Sequence, residues 1–442
     1  MRDEDQPPGG ETVEELHASW FTLSPDERVS AFRSLDREDA QDFFLGLSSR
    51  DQADLFLLVP PRERRLWIRL LPPDDVADLL LEIPADERND SLALLDETTR
   101  REVNALLTYA EDAAGGLMSP CFARVRPDAT VDEAISYLKR QARFDLETIY
   151  YAYVLDAEQR LLGVASLREL IVAPGDARVS DVMKTDLVTV REDEDQEIVA
   201  RRFRQDGLMA IPVVDAEGHM KGIVTAEDIV EVVEEEATED IQKLGGMAAL
   251  DEPYMRAPFS RMIRKRAGWL TALFVGEMLT ATAMSHFEAD IARAVVLALF
   301  VPLIISSGGN SGSQAATLVI RALALGEVRL RDWWRVIRRE LASGLTLGAI
   351  LGSIGLLRIL VWQRLFGIYG DHATLVALTV GVSLVGVVTW GTITGSLLPF
   401  VFRRLGFDPA SASAPFVATL VDVSGLVIYF SVAGVLLRGK LL

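Results

Sequence analysis

Five stretches of the C-terminal half, roughly Gly268–His286, Ile291–Leu325, Leu341–Trp362, Ala373–Phe402 and Ala412–Leu437, are apolar. Each is near the ~20 residues that cross a hydrocarbon core as a helix. Inside lipid every backbone N–H and C=O must be bonded within its own segment, so such runs fold as helices. The second is too long for one straight span, and its polar run SSGGNSGSQ at 306–314 reads as an interruption. Basic clusters at 264–266, 329–339 and 403–404 lie before the first stretch, after the second and after the fourth. All three fall on one side, which predicts a cytosolic N-terminus and an outside C-terminus, with Arg438 and Lys440 a mild exception.

The N-terminal half has the opposite character. Residues 1–260 hold 56 of the 65 acidic and 28 of the 45 basic residues, a balance of −28, against +8 for the remainder. A carboxylate-rich surface argues against nucleic acid as a partner, because a phosphate backbone needs a basic footprint. It suits divalent cations, or simply a solvated surface. One cysteine, Cys121, excludes a disulfide framework and a thiolate zinc site. The four histidines are scattered, and the acidic first twenty residues lack the apolar core of a signal peptide.

Leu23, Leu35, Leu47, Val59, Leu71, Ile83 and Leu95 are spaced twelve apart, each followed by a capping or proline start such as SPDE, DRED or PPDD. Short helices of this kind are marginal alone and must stack, which predicts a compact superhelix. Two later segments, opening at Met118 and Met183, resemble each other and read as β-α-β-β-α. They look like tandem CBS domains on the pattern Asp156, Gly163, Ser166, Glu169, repeated as Asp215, Gly222, Thr225, Asp228. That resemblance implies a regulatory pair with ATP as a candidate ligand, contacted by Ser166, Glu169, Thr225 and Asp228. The same four residues also read as N-caps of the last helix in each copy.

Asp422 lies near the middle of the fifth stretch and Glu277 in the first. A carboxylate at that depth faces a protein interior or a water-filled path. No Lys or Arg lies deep enough to pair with Asp422, which favours an ion path there. Glu277 reads equally as an ion-path or a helix-bridging residue.

Taken together, a helical N-domain, two CBS copies, a connecting segment and five spans with GGNSGSQAATLVIRALA and PFVATLVDVSGLVIYFSVA resemble the MgtE family of magnesium channels. The resemblance covers essentially the whole chain. It implies a multidomain fold: an all-α superhelical N-domain (1–117), α/β tandem CBS domains (118–178 and 179–238), a connecting plug helix (239–266) and an α-helical transmembrane domain of five spans (267–442). It implies a homodimer in the cell (inner) membrane, crossing it several times, with a pore between subunits lined by the second and fifth spans. On this reading Asp422 holds hydrated Mg2+, Asn310 belongs to the filter patch, and Gly308, Gly309, Ala418 and Gly425 line the path. Asp408 is an acid at the cytosolic mouth. Asp74 and Asp78 of the N-domain and Asp251 of the plug segment hold regulatory Mg2+ that closes the pore. Ala248 and Arg256 stand where further plug acids are expected, which implies softer gating.

Magnesium keeps several of its waters, so carboxylates that accept hydrogen bonds from them suit it. Asp74 and Asp78, at i and i+4, share a helix face and repel without a cation. A coupled secondary transporter for Mn2+ or Co2+ is the alternative, though the five spans show no inverted repeat. No nucleophile–base pair, P-loop lysine or histidine ligand pair is present in the sequence, so an enzyme is not expected.

Overall fold

The computed structural model describes residues 13–142, 146–250, 254–255 and 257–438. They form two compact units, Met1–Glu234 and Glu235–Leu442.

The first unit begins with helices α1 (Val13–Ser19), α2 (Pro25–Ser34), α3 (Arg37–Leu45), α4 (Ser49–Leu58), α5 (Pro61–Ile68), α6 (Pro73–Glu82), α7 (Ala85–Leu92) and α8 (Glu97–Leu106). The starts are chemical. Ser24 caps α2 in a capping box with Glu27, Asp36 caps α3, Ser48 caps α4 and Asp96 caps α8. Pro61 and Pro73 occupy the first turn of α5 and α6, where a missing N–H costs nothing. The aliphatic residues of the twelve-residue period from Leu47 to Ile83 and on to Leu95 are buried at the turns between helices. Two periods make one stacking step, so α2 packs on α4, α4 on α6 and α6 on α8. Trp20, Phe43, Phe44, Phe56 and Ile68 fill the core of this stack, each contributing about 1.5–3 kcal/mol of burial.

After a short turn α9 (Ala114–Leu117) come two similar halves. The first is β1 (Phe122–Val125), α10 (Val131–Gln141), β2 (Thr148–Leu155), β3 (Leu161–Ser166) and α11 (Leu167–Val172), followed by the turn α12 (Val179–Val182). The second is β4 (Val190–Arg191), α13 (Gln196–Asp206), β5 (Ala210–Val214), β6 (Met220–Thr225) and α14 (Ala226–Leu244). In each the outer strand runs parallel to the middle one, which pairs antiparallel with the third. The halves exchange their leading segments. Ser119, ahead of the first half, trades backbone bonds of 2.8 and 2.9 Å with Ile223 of β6. Lys184, ahead of the second, does the same with Val164 of β3 at 2.8 and 2.9 Å.

The second unit holds α15 (Phe259–His286), α16 (Glu288–Arg293), α17 (Val295–Ala298), α18 (Val301–Ala324), α19 (Trp333–Phe366), α20 (Ala373–Arg404) and α21 (Ala414–Leu437). Its five membrane-length spans match the five expected stretches. α20 is the most buried of them, flanked by α18, α19 and α21, whereas α15 packs chiefly along α21.

Two expectations are corrected. The run 306–314 does not interrupt the second span: α18 passes through it unbroken, and the irregular stretch lies upstream, around Ala294 and Leu299–Phe300. In lipid the backbone must bond internally, and this outweighs the low helix propensity of Gly, Ser and Asn. The connecting segment is not one helix over 239–266 either. α14 starts inside the second half at Ala226 and stops at Leu244, before a turn at Gly246 with φ +74°. Asp251 and Arg256 lie outside the described residues.

The glycines of α18 serve packing. Gly308 and Gly312 are buried against Gly391 and Gly395 of α20, so close that a Cβ on Gly395 would strike the Gly312 carbonyl oxygen. Small residues let membrane helices approach in this way. Gly395→Val is therefore expected to cost about 1–3 kcal/mol or more through overpacking. Gly434→Val, where nothing lies within 4 Å of the added carbon, should be near neutral. Thermal melting of the two variants in detergent checks this; equal melting temperatures would contradict it.

Candidate functional site

The chain carries two groups of candidate residues, one in each unit. In the membrane unit, Asp422 sits midway along α21 and is half-buried. Its partner surface is α18: a carbon on Gly309 would lie 3.3 Å from Ala418 Cβ and 3.6 Å from Asp422 Oδ1. The glycine thus leaves room beside the carboxylate. Gly425, one turn on, faces Val387 of α20. Asn310 is exposed on α18, its amide 3.4 Å from Ser306 Oγ. Among the described residues Asp422 has no Lys or Arg partner, and Glu277 of α15 lies close enough to act on it electrostatically.

Asp408 stands apart from this group. Its Oδ2 lies 2.6 Å from Lys243 Nζ at the end of α14, and its Oδ1 accepts from Ala410 N at 2.8 Å. It is an ion-pair partner and a cap in this structure.

The first unit gathers more acids than the sequence suggests. α6 presents Asp74, Asp75 and Asp78 toward Glu147 of the first half and toward Glu227, Asp228 and Glu231 at the start of α14, with Glu111 nearby. Asp74 is buried at 7% exposure, and the Ser119 hydroxyl lies 3.3 Å from its Oδ1 and 3.1 Å from Glu147 Oε2. One hydroxyl proton cannot serve both carboxylates. Among the described residues no Lys or Arg pairs with any of these acids. Burial first, and neighbouring negative charge second, push Asp74 well above the usual carboxylate range, Asp75 to about 6 and Asp78 to about 8. Burial likewise raises Glu147 and takes Asp228 to about 6, against its bonds from Thr225. A concentrated, half-buried set of oxygens with no cation of its own is what a hard divalent ion fits.

Such acids destabilise the folded unit as they ionise. Their folded pKa values exceed the unfolded ones, so their contribution is intact below pH 3.8 and is lost as pH rises through about 6 to 8. Metal-free full-length protein should therefore melt at progressively lower temperature between about pH 6 and 8, and saturating Mg2+ should abolish that slope. Fluorescence melting across this range tests it; a slope unchanged by Mg2+ would count against cation binding here.

Ser166 caps α11, its hydroxyl accepting from Glu169 N at 3.2 Å. Ser166 Oγ donates to Glu169 at 2.8 Å, and Thr225 Oγ1 donates to Asp228 at 2.9 Å. Glu169 is also paired with Lys184 at 2.7 Å. The histidines remain scattered, but His219 closes with Asp215 and Glu217 at the β5–β6 turn, a grouping that was not expected. Asp215 is already held by His219 at 2.9 Å and Lys221 at 3.1 Å, which together with backbone bonds outweigh burial and depress its pKa.

Sequence reasoning brought forward Asp74 and Asp78 as cation ligands, and Asp228 only as a nucleotide contact, but missed Asp75, Glu111, Ser119, Glu147, Glu227, Glu231 and Lys243. Asp75, adjacent to Asp74, and Glu231, in the carboxylate-dense run 229–240, carried a local signal.

Comparison with known proteins agrees with this anatomy. Residues 301–432 match the family described as divalent cation transporter, 12–112 the MgtE intracellular N domain, and 114–176 and 179–235 the CBS domain. The magnesium transporter MgtE of Thermus thermophilus is 47% identical over 345 residues, 78% of this chain and 74% of that protein. The magnesium transporter MgtE of Enterococcus faecalis is 36% identical over 338 residues, 76% and 72%. Among solved structures, the cytosolic domain of the Mg2+ channel MgtE in complex with ATP is 42% identical, covering 50% of this chain and 90% of that one, with a TM-score of 0.47.

Proposed function

From the premise that this chain belongs to the MgtE family, we propose that it is a magnesium channel of the cell membrane, working as a homodimer and closed by cytosolic Mg2+. The observation that carries the permeation part is Asp422: a carboxylate midway along a membrane helix, with room beside Gly309 and no cationic partner among the described residues. Asn310, exposed on α18 at membrane depth, fits a path shared with a second copy. Magnesium is the cargo. Asp422 would act on the waters it retains, holding the ion without stripping it.

The regulatory part rests on the acidic group of the first unit. Asp74, Asp75, Asp78, Glu147, Asp228 and Glu231 would hold the ion, and filling the site relieves their mutual repulsion. A ligand can favour the closed state only as far as it binds that state better. The gathered carboxylates would supply that difference, because Mg2+ binds better where they converge than where they are apart. An N-terminus in the cytosol, ATP at the CBS pair and a role for Asp251 belong to the same proposal. Magnesium entry into vesicles holding the purified chain, read by an entrapped indicator, tests the function. Entry no faster than in empty vesicles would refute it.

A further inference from the structure

The last turn of α14 is fastened to the segment that starts α21. Lys243 Nζ lies 2.6 Å from Asp408 Oδ2, and Glu239, one turn back, holds the same ammonium. Burial alone would lower the Lys243 pKa, but its bonds to Asp408 and Glu239 outweigh this and raise it, so the ammonium stays charged. The second oxygen of Asp408 accepts from Ala410 N and so caps the turn Pro409–Ser411. Two residues on, the fully buried Ser413 caps α21, accepting from Phe416 N at 3.4 Å. Ser313 of α18 donates to the Ala414 carbonyl at 3.1 Å.

Contacts from the other side complete the join. Leu244 packs on the hydrophobic core of the membrane unit. Gly246 turns back so close that a carbon on it would lie 3.2 Å from Pro415 Cγ and 3.4 Å from Ser413 Oγ. Leu250 N donates to Gln242 Oε1 at 2.5 Å, and Ala248 N to the Lys265 carbonyl at 3.1 Å.

We propose that Lys243 and Asp408 form a latch that ties the end of α14 to the start of α21, so that the helix leaving the CBS pair and the helix bearing Asp422 move as one piece. α14 begins with Asp228 and Glu231 of the acidic group and ends with Lys243. A change at its first turns therefore reaches α21 through a continuous helix and one ion pair. That transmission rests on the gating reading given above; the latch does not. While latched, Asp408 has one oxygen on the ammonium and the other on a backbone N–H, so Lys243 competes with any divalent ion for this carboxylate.

The test uses the full chain in nanodiscs, with Lys243→Met, Asp408→Asn, the double variant and Lys243→Arg. Hydrogen exchange of residues 241–250 and 408–413, measured without Mg2+, should speed up by about tenfold in the first three and stay near wild type in Lys243→Arg. Unchanged exchange in Lys243→Met would overturn the latch. In flux assays the cytosolic Mg2+ giving half-closure should rise about threefold or more in each single variant and no further in the double, because both remove one contact. Faster exchange with an unmoved half-closure point would overturn transmission through this pair. A wild type that does not close at all would refute the gating reading and, with it, transmission, while the exchange result still decides the latch.

Discussion

Asp422→Ala is expected to lower magnesium flux by about a hundredfold or more while the protein still folds. A carboxylate partly removed from water and facing a divalent ion contributes several kcal/mol, and each 1.36 kcal/mol is a factor of ten in rate. Folding should survive because Asp422 is half-buried, has no ion-pair partner among the described residues and stands where Gly309 leaves space. Asp422→Asn keeps the shape and removes the charge, so it separates the two contributions: it should be nearly as inactive as alanine. Flux in vesicles, with size-exclusion chromatography as the folding control, decides this. Wild-type flux in either variant would remove Asp422 from the ion path.

The second large effect lies at the other end of the chain. Asp74→Ala/Asp78→Ala is expected to raise the cytosolic Mg2+ needed for closure by about tenfold or more, leaving ion selectivity unchanged. Both acids lie on one face of α6, and both have carboxyls pushed up by burial and by neighbouring acids. Removing them lessens the advantage that Mg2+ gains on filling the cluster. Selectivity should not follow, because it is assigned to Asp422 and Asn310 in the other unit. Closure at the wild-type concentration would leave the pair as ordinary acids of the interface. The variant should also stabilise the Mg2+-free protein at pH 8, since two groups that resist ionisation are gone.

What could be read from the sequence was whatever local chemistry repeats. The twelve-residue period shows because each turn carries a capping residue or a proline start and its own buried aliphatic, from Leu47 to Leu95. The two β-α-β-β-α halves show because alternation and turn residues are short-range. Asp422 showed because depth in a bilayer makes a single carboxylate conspicuous. The rest is tertiary. Glu147, Glu227 and Glu231 reach Asp74, Asp75 and Asp78 only after the halves exchange their leading segments and bring Ser119 to β6. The glycine run at 306–314 was misleading because propensities learned in water do not govern a helix in lipid. Asp408 had no local sign of Lys243, which approaches it from a separate helix.

The central claim is that Mg2+ passes through an open path and shuts that path from the cytosolic side. Single-channel recording of the wild-type protein in a planar bilayer, with Mg2+ the only permeant cation, tests it most directly. Discrete unitary steps should appear at low cytosolic Mg2+, and their open probability should fall as cytosolic Mg2+ is raised, with step size set only by the driving force. Magnesium movement without unitary steps, saturating and dependent on a second ion's gradient, would contradict the account and point to a coupled carrier.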